Sequence, residues 1–340
     1  MEKTYDTEIL DSSDESVKKA AELLKRGEVV GMPTETVYGL AANALDPAAV
    51  EKIFIAKGRP QDNPLIVHVA GADMIAPLVT EIPELARRCA ESFWPGPLTM
   101  IMPKSELIPK TTSGGLDTVG IRMPSNETAR RLIRECGFPI AAPSANLSGS
   151  PSPTKASHVF DDMKGRIPCI LDDGSCAVGV ESTVISFEGD RIRLLRPGFI
   201  SREELSEIAE VIVDRGVTEA VASDAAVASP GMKYKHYSPK ADVTIVQGDD
   251  ESFELFAMEM AGAGVWFMTF SEDDTDAAGA NVIPYGETDE EQAARLFDVL
   301  RELDEAGAKT VYARCPRKTG VGLAVYNRLL RAAGFTVIEL

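Results

Sequence analysis

Two cations flank a glycine in the segment KGRPQDNPLIVH, residues 57–68, of a chain that is otherwise acidic. Lys57 and Arg59 stand before Pro60, and the apolar run that follows ends at His68. The 340 residues contain 35 Lys and Arg against 53 Asp and Glu, a net charge of −18. Cations grouped in such a chain are typical of a site for an anion. The alternatives are a lysine that offsets a helix dipole, a solvated arginine and a core histidine.

Two further arginines stand where a sheet would gather ligands. Arg122 lies among apolar residues in GIRMP, and an arginine in such a strand must meet anions or emerge at a sheet edge. Arg196 in LLRPG and Ser182 in GVESTVISF stand at strand ends, where α/β proteins collect their ligands. The functional interpretation is therefore stronger here than for the first pair of cations.

Two loops add hydroxyl and amide groups to the candidate set. PTETVYGL, which contains Thr36, directly follows a short strand, and APSANLSGSPSPT carries Ser144, Asn146 and Ser152 among glycines and prolines. Loops of the second kind cradle phosphates or sugars through side chains and free backbone N–H groups. A turn that only caps the next segment, or a plain surface loop, remains the alternative for each.

Helical and extended patterns alternate through the first two hundred residues. SSDESVKKAAELLKRG predicts a helix with a capping box of Ser12 and Glu15, and a second helix starts at Asp46 and ends at Lys57. Further helices are predicted over PELARRCAESF, ETARRLIRECG and EELSEIAEVI, with strands between them. Strands outnumber helices and partly follow one another, which favours an open, twisted, mixed α/β sheet.

The alternation is lost over residues 216–241 and then returns. This turn-rich segment contains PGMKYKHYSP, whose aromatic and basic residues favour a long linker that folds back over a site. From 242 to 340, strands and helices alternate, which predicts a smaller, Rossmann-like parallel α/β domain. Residues 201–340 carry 13 Lys and Arg against 26 Asp and Glu, so any anion site is expected before them.

Several functional classes lack their sequence signals. The chain has no Walker A loop, no complete dinucleotide fingerprint, no HExxH and no nucleophile elbow. Its five cysteines show no zinc-type spacing, so no bound metal centre is predicted and a reducing cytoplasm is favoured. No apolar run approaches 18 residues and the N-terminus lacks a signal-peptide core, so neither a membrane span nor export is expected.

The combination of motifs resembles the YrdC family. PTETVYGL, the Lys-Gly-Arg at 57–59, WPGPLT, GIRMP, SANLSG, ESTVI and LLRPG occur in that family's order and approximate spacing. PGMKYKHYSP and the terminal GLAVYNRLLRAAG resemble its long form, in which a linker joins a second small domain. The resemblance implies a YrdC-like catalytic domain over residues 1–215, a linker over 216–241 that covers the active site, and a C-terminal domain over 242–340.

The resemblance also implies an activity. The family makes threonylcarbamoyl-AMP from L-threonine, bicarbonate or CO2 and ATP, and it releases pyrophosphate. A separate transferase complex then modifies tRNAs that read codons beginning with A. Mg²⁺ is expected with the phosphates of ATP.

Carried over by position, the resemblance gives each candidate residue a role. Lys57 and Arg59 are the implied catalytic residues. The implied L-threonine contacts are Thr36, His68, Arg122, Ala142 and Ser182. The implied ATP contacts are Arg59, Asn63, Thr118, Ser144, Asn146, Ser152, Arg196 and, from the linker, Tyr234.

Two other functions stay open at this point. One is a YrdC-like domain that forms a carbamoyl-adenylate from carbamoyl phosphate, as in hydrogenase maturation proteins. The other is an RNA-binding module with a concave cationic face, although the net charge of −18 and an aromatic content of 6% argue against broad RNA affinity.

Overall fold

The computed structural model describes residues 4–60, 63–219, 237–270 and 280–340, and within them two sheets carry the fold. The first sheet has eleven strands in the order β1-β8-β2-β3-β7-β4-β6-β5-β9-β10-β11. They are β1 (Glu8–Leu10), β2 (Val30–Met32), β3 (Gly39–Asn43), β4 (Ile66–His68), β5 (Leu98–Pro103), β6 (Thr118–Arg122), β7 (Ile140–Ala141), β8 (Cys169–Leu171), β9 (Thr183–Glu188), β10 (Arg191–Arg196) and β11 (Val211–Val213).

This sheet contains both parallel and antiparallel pairs, as the succession of strands predicts. The strand β4 runs parallel to β6, whereas β7 and β5 pair antiparallel with β4 and β6. The register of the parallel pair sets His68 opposite Arg122. Both residues are the last of their strands, so the sheet itself brings two candidate site residues together at one edge.

Helices cover the first sheet and bury its apolar residues. They are α1 (Asp14–Lys25), α2 (Pro47–Lys57), α3 (Glu84–Phe93), α4 (Lys110–Ser113), α5 (Glu127–Cys136), α6 (Ala156–Met163) and α7 (Arg202–Ser206), with 3₁₀ turns at Ala72–Met74 and Arg215–Val217. The helix α2 is capped by Asp46, which accepts from the N–H of Ala48, and it ends at Gly58 with φ of 62°. This end fixes where Lys57 and Arg59 leave the helix.

Two local predictions are wrong. The cap of α1 is Ser13 rather than Ser12, because the Asp11 carboxylate accepts from the hydroxyls of Ser13 and Ser16 and holds Ser13 at the helix start. The helix predicted over EELSEIAEVI ends at Ser206, and Val211–Val213 is a strand parallel to β10. Its β-branched residues pack better on a pleated sheet than in a helix. The helix α6 was not predicted.

The second sheet is parallel throughout, as predicted. Its strands are β12 (Asp242–Gln247), β13 (Val265–Thr269), β14 (Asn281–Pro284), β15 (Thr310–Arg314) and β16 (Val337–Glu339), in the order β14-β13-β15-β12-β16. The helices α8 (Asp250–Met260), α9 (Asp289–Glu305) and α10 (Gly322–Ala332) pack on it. No helix in the described ranges has the length and apolar character that crossing a membrane requires.

The two sheets share apolar core along one contact. Val37, Val178 and Val180 from the first part of the chain belong to the same buried cluster as Leu296 and Leu300 of α9. Around this cluster, Arg301 pairs with Asp162 at 2.8 Å and Lys155 pairs with Asp298 at 2.7 Å. The second sheet is therefore packed firmly against the first.

Two glycines in the first part of the chain, Gly174 and Gly179, differ in how closely they approach α9 of the second part. Gly174 and Gly179 both have φ of +79°, but a Cβ at 174 meets nothing within 4 Å, whereas a Cβ at 179 lies 2.4 Å from backbone atoms of Ala293 and Ala294 in α9. We expect Gly174→Ala to lower the free energy of unfolding by about 1 kcal/mol through backbone strain alone. Gly179→Ala is expected to lower it by about 2 kcal/mol more, because α9 must shift. Urea unfolding measures both, and equal losses would contradict the close approach.

Candidate functional site

A cleft opens where several strands of the first sheet end. It lies between the ends of β4, β6 and β10, the end of α2 and the loop that follows β7. Four cations line it: Lys57, Arg59, Arg122 and Arg196. They come from segments that are far apart in sequence, so only the fold brings them together.

Most of the predicted site residues line this cleft. They are Thr36, Lys57, Arg59, His68, Arg122, Ala142, Ser144, Asn146, Ser182 and Arg196. Three others do not line it. Asn63 and Ser152 are buried behind the wall of the cleft. Thr118 lies at the start of β6 in a small neighbouring hollow, which shares Pro64, Leu65 and Ile66 with the cleft. Tyr234 lies outside the described residues.

Lys57 ties the end of α2 to the serine-rich loop. Its Nζ donates to the carbonyl oxygens of Ser144 at 2.5 Å and Asn146 at 2.8 Å, and its own carbonyl accepts from the N–H of Ser148 at 3.0 Å. Burial, followed by the charge of Arg59, lowers the pKa of Lys57 to about 7. A lysine in this setting gains or loses its proton near neutral pH, so a bound anion decides its charge.

The Asn146 side chain stabilises the same loop from inside. Its Nδ2 donates to the carbonyl oxygens of Leu147 and Ser150, both at 2.8 Å. The loop from 144 to 150 is thus fastened at both ends, by Lys57 and by its own asparagine.

Arg122 is held by an acidic partner and a hydroxyl. Its Nη2 lies 2.7 Å from Glu35 Oε1, and its Nη1 donates to Thr36 Oγ1 at 2.9 Å. Burial, the largest single influence, would raise the pKa of Glu35, but the charge and hydrogen bond of Arg122, together with backbone hydrogen bonds, hold this pKa below its usual value. The ion pair explains how an arginine can end a central strand. The sequence had left open whether Arg122 meets an anion or emerges at a sheet edge.

His68, next to Arg122 in the sheet, is neutral. Burial, followed by the charge of Arg122, lowers its pKa to about 3. Its Nδ1 is buried and has no hydrogen-bond partner among the described residues. A buried polar atom of this kind is expected to meet a ligand or water, so His68 presents an uncharged hydrogen-bonding group to the cleft.

Arg196 lies against Ser182 at the opposite wall. Its Nε donates to the Ser182 carbonyl at 3.1 Å and its Nη2 to the Ser182 hydroxyl at 3.2 Å, while Ser182 Oγ lies 2.8 Å from Thr99 Oγ1. Burial lowers the pKa of Arg196 to about 10, so it remains charged at neutral pH. Arg122 and Arg196 therefore face the same space as fixed positive charges.

The lining residues that sequence reasoning did not assign include Glu181 and Tyr237. Glu181 is the one acid among the described lining residues, and it is buried. Tyr237 begins the described range 237–270, adopts φ of 63°, and packs on Phe297 with ring centroids 5.2 Å apart. The motif PGMKYKHYSP signalled that the linker carries a site residue, but not which aromatic residue faces the cleft.

The end of the linker also contacts the serine-rich loop. The N–H of Ser238 donates to the Gly149 carbonyl at 3.0 Å. Tyr237 lines the cleft and Ser238 binds its loop, and both residues directly precede the second sheet in the chain. These contacts put the described end of the linker at the site.

The residues present do not form a metal centre of their own. Within the described ranges, no group of three or more His, Cys, Asp or Glu side chains is placed to hold a metal ion. Glu35 is paired with Arg122, and Glu181 accepts from Ser152 and Arg328. A cation that enters this cleft would thus have to be carried largely by an anionic ligand.

Comparison with known proteins agrees with the architecture and the motifs. The Sua5/YciO/YrdC family model, described as "Telomere recombination", matches residues 22–198, and a model described as "Threonylcarbamoyl-AMP synthase, C-terminal domain" matches residues 200–334. The chain belongs to the Sua5/YciO/YrdC family.

Relatives in this family match nearly the whole chain. A Pyrococcus abyssi protein named threonylcarbamoyl-AMP synthase is 46% identical, over 95% of this chain and 96% of its own, and the Bacillus subtilis protein of that name is 46% identical over 98% and 97%. The crystal structure of P. abyssi Sua5 complexed with L-threonine has a TM-score of 0.91, with 43% identity and coverage of 98% of this chain and 100% of that chain. The family, the mixed sheet and the parallel second sheet predicted from sequence are thereby confirmed.

The buried pair of Arg122 and Glu35 predicts an acid-sensitive contribution to stability. Because the pKa of Glu35 is lowered in the fold, the stabilisation is present above the unfolded value of 4.5 and is lost as pH falls through the lower folded value. We expect Glu35→Gln to lower the free energy of unfolding by about 3 kcal/mol near pH 7, since Arg122 loses its partner.

Urea unfolding at several pH values measures this effect. The difference between the wild type and Glu35→Gln should be constant from neutral pH to about pH 5 and shrink below pH 4.5. Glu127→Gln, which breaks an exposed ion pair with Arg130, is the control and should change the unfolding free energy by less than about 1 kcal/mol. A Glu35→Gln effect that stays constant below pH 4 would show that the carboxylate is not the source.

Proposed function

We propose that this protein is a threonylcarbamoyl-AMP synthase. It joins L-threonine, bicarbonate or CO2 and ATP, releases pyrophosphate, and so supplies the activated intermediate for threonylcarbamoyl modification of tRNA. The observation that carries the proposal is the convergence of Lys57, Arg59, Arg122 and Arg196 on one cleft. The names of the full-length relatives and the L-threonine complex of the P. abyssi protein support the same activity.

The chemistry suits a cleft that offers positive charge more than a strong base. The nitrogen of the threonine amine bonds to the carbon of CO2 and releases a proton to water, which gives a carbamate whose oxygen carries negative charge before the transfer step. That oxygen attacks the α-phosphorus of ATP as the bond from this phosphorus to the bridging oxygen of pyrophosphate breaks. Catalysis then consists of bringing two anions together and stabilising the charge on the phosphorus and the leaving group.

The amino acid binds on the side of Arg122. Its guanidinium, already oriented by Glu35 and Thr36, takes the threonine carboxylate. Neutral His68 hydrogen-bonds the amine or the hydroxyl of the substrate. The N–H of Ala142 already donates to the Ile66 carbonyl at 3.1 Å, so Ala142 would use its carbonyl oxygen, with Ser182 at the other side.

The nucleotide binds on the side of Arg59 and Arg196. These two arginines hold the phosphates, while Lys57 completes the positive wall and the loop at Ser144 and Asn146 lines the nucleotide. Asn63, Thr118 and Ser152 act from behind the wall or at its margin. Mg²⁺ would arrive with the phosphates of ATP, where it neutralises charge, and the chain supplies no three-ligand site for it in its described part.

We propose a division of labour along the chain. Residues 1–215 form the YrdC-like catalytic domain, residues 216–241 form a linker that covers the site, and residues 242–340 form the C-terminal domain. The contacts of Tyr237 and Ser238 with the cleft and its loop support the covering role of the linker. Covering the site would keep water from a mixed anhydride that hydrolyses easily.

A pyrophosphate assay with separate amino acids tests the activity. With ATP, Mg²⁺ and bicarbonate, we expect release to require L-threonine and to fall sharply when bicarbonate is omitted. Serine lacks one methyl group, which is worth about 1 to 3 kcal/mol, so a reduced rate with serine is expected rather than none. No threonine-dependent release, a requirement for carbamoyl phosphate, or salt-sensitive tRNA binding without ATP turnover would each contradict the proposal.

The lowered pKa of Lys57 predicts proton uptake on nucleotide binding. At pH 8 the buried amine is mostly neutral, because its pKa is about 7, and the phosphates of ATP favour the charged form. We expect ATP binding at pH 8 to take up about one proton in the wild type and much less in Lys57→Met. Titration calorimetry in buffers of different ionisation enthalpy measures the uptake.

Lys52→Met is the matched control for that measurement. Lys52 lies on the same helix but is half-exposed, and it donates to the Gly27 carbonyl away from the cleft. Its replacement should leave the proton uptake unchanged. Equal uptake in the wild type and Lys57→Met would show that Lys57 is not the group that gains the proton.

A further inference from the structure

A carboxylate in the wall of an anion cleft needs an explanation. Glu181 is buried and is the one acid among the described residues that line the cleft. Left unpaired, its charge would repel the phosphates of a nucleotide and attract Arg196, whose charge already helps to lower the pKa of Glu181. Something must therefore neutralise this group.

The neutralising charge comes from the other end of the chain. Arg328 of α10, on the second sheet, is completely buried, and its Nε donates to Glu181 Oε2 at 2.8 Å. The other carboxylate oxygen, Oε1, accepts from Ser152 Oγ at 2.6 Å. Both oxygens of Glu181 are thus occupied by groups outside the cleft.

Arg328 also joins the two strand ends that carry the wall. Its Nη2 donates to the Glu181 carbonyl at 3.2 Å, next to Ser182, and its Nη1 donates to the Pro197 carbonyl at 2.7 Å, next to Arg196. Its guanidinium lies 6.0 Å from the ring centroid of Tyr237. One side chain therefore contacts three segments that line the cleft.

We propose that Arg328 is a positioning residue for the nucleotide side of the site. By pairing with Glu181 it prevents this carboxylate from capturing Arg196 and from repelling the phosphates, and by binding the two carbonyls it fixes Ser182 and Arg196. This gives the C-terminal domain a specific task beyond anchoring the linker. The inference rests on the proposed function only in taking ATP as the ligand.

Removing the charge of each partner in turn separates this role from simple packing. In Arg328→Gln the cleft gains an uncompensated negative charge, so the loss of affinity should grow with the charge of the ligand. In Glu181→Gln the negative charge is removed while Arg328 and Arg196 stay, so ATP should bind more tightly than to the wild type. In the double variant the pair is neutral, and affinity should return.

The experiment is calorimetric binding of ATP and of AMP to the full-length chain. We expect Arg328→Gln to weaken ATP binding by about tenfold or more and AMP binding by about threefold or less, and the double variant to return ATP affinity to within about threefold of the wild type. Arg331→Gln is the matched control, because Arg331 lies on the same helix and donates to the Gly216 carbonyl at 2.7 Å. It should change ATP affinity by less than about threefold.

Three results would overturn the proposal. The first is unchanged ATP affinity in Arg328→Gln, and the second is an equal loss of affinity for ATP and AMP in that variant, which indicates a collapsed cleft. The third is weaker ATP binding in Glu181→Gln. This third result can be measured even if Arg328→Gln does not fold. Failure of the proposed function is distinct from these. It would appear in the wild type as ATP binding without threonine-dependent release of pyrophosphate, and the comparison of variants would still decide the role of Arg328.

Discussion

Mutual repulsion among buried cations is the constraint on which the rest of this structure depends. Lys57, Arg59, Arg122 and Arg196 face one cleft, and a cluster of like charges out of bulk water is unfavourable unless each member is compensated. The fold compensates them by different means. Lys57 uses two loop carbonyls, Arg122 uses Glu35, and Arg196 uses Ser182.

Each compensation also fixes a segment of the site. The carbonyls that bind Lys57 belong to the loop from 144 to 150, so the same contact that holds the cation shapes the loop. The Arg122 pair orients the loop that holds Thr36. The lowered pKa of Lys57, at about 7, shows that compensation is incomplete in the absence of an anion. This incompleteness is what gives an anionic ligand its advantage.

The sequence predicted the local elements around the site well, because their signals are local. Asp46 and Gly58 mark the two ends of α2, and the apolar patterns around His68 and Arg122 place both residues in strands. The parallel pairing of β4 with β6, which makes these strand ends neighbours, comes from the structure. Local signals failed where a residue had competing partners or a tertiary pairing, as at Ser13 and at Val211–Val213.

The missed parts of the site are long-range contacts. Glu181 and Arg328 are separated by 147 positions, and neither segment indicates on its own that the two side chains meet. Tyr237 lies within a motif that favours a covering linker, but the motif contains several aromatic and basic residues, and the sequence does not show which of them contacts the cleft. Tyr237, which packs on Phe297, lines the cleft, and Tyr234 lies outside the described residues.

The most direct test of the central claim is a crystal structure of the protein with L-threonine and a non-hydrolysable analogue of ATP. The account predicts the triphosphate within hydrogen-bonding distance of Lys57, Arg59 and Arg196, with the threonine carboxylate on Arg122 in the same cleft. A triphosphate bound elsewhere, for example on the second sheet, with these cations still facing solvent, would contradict it.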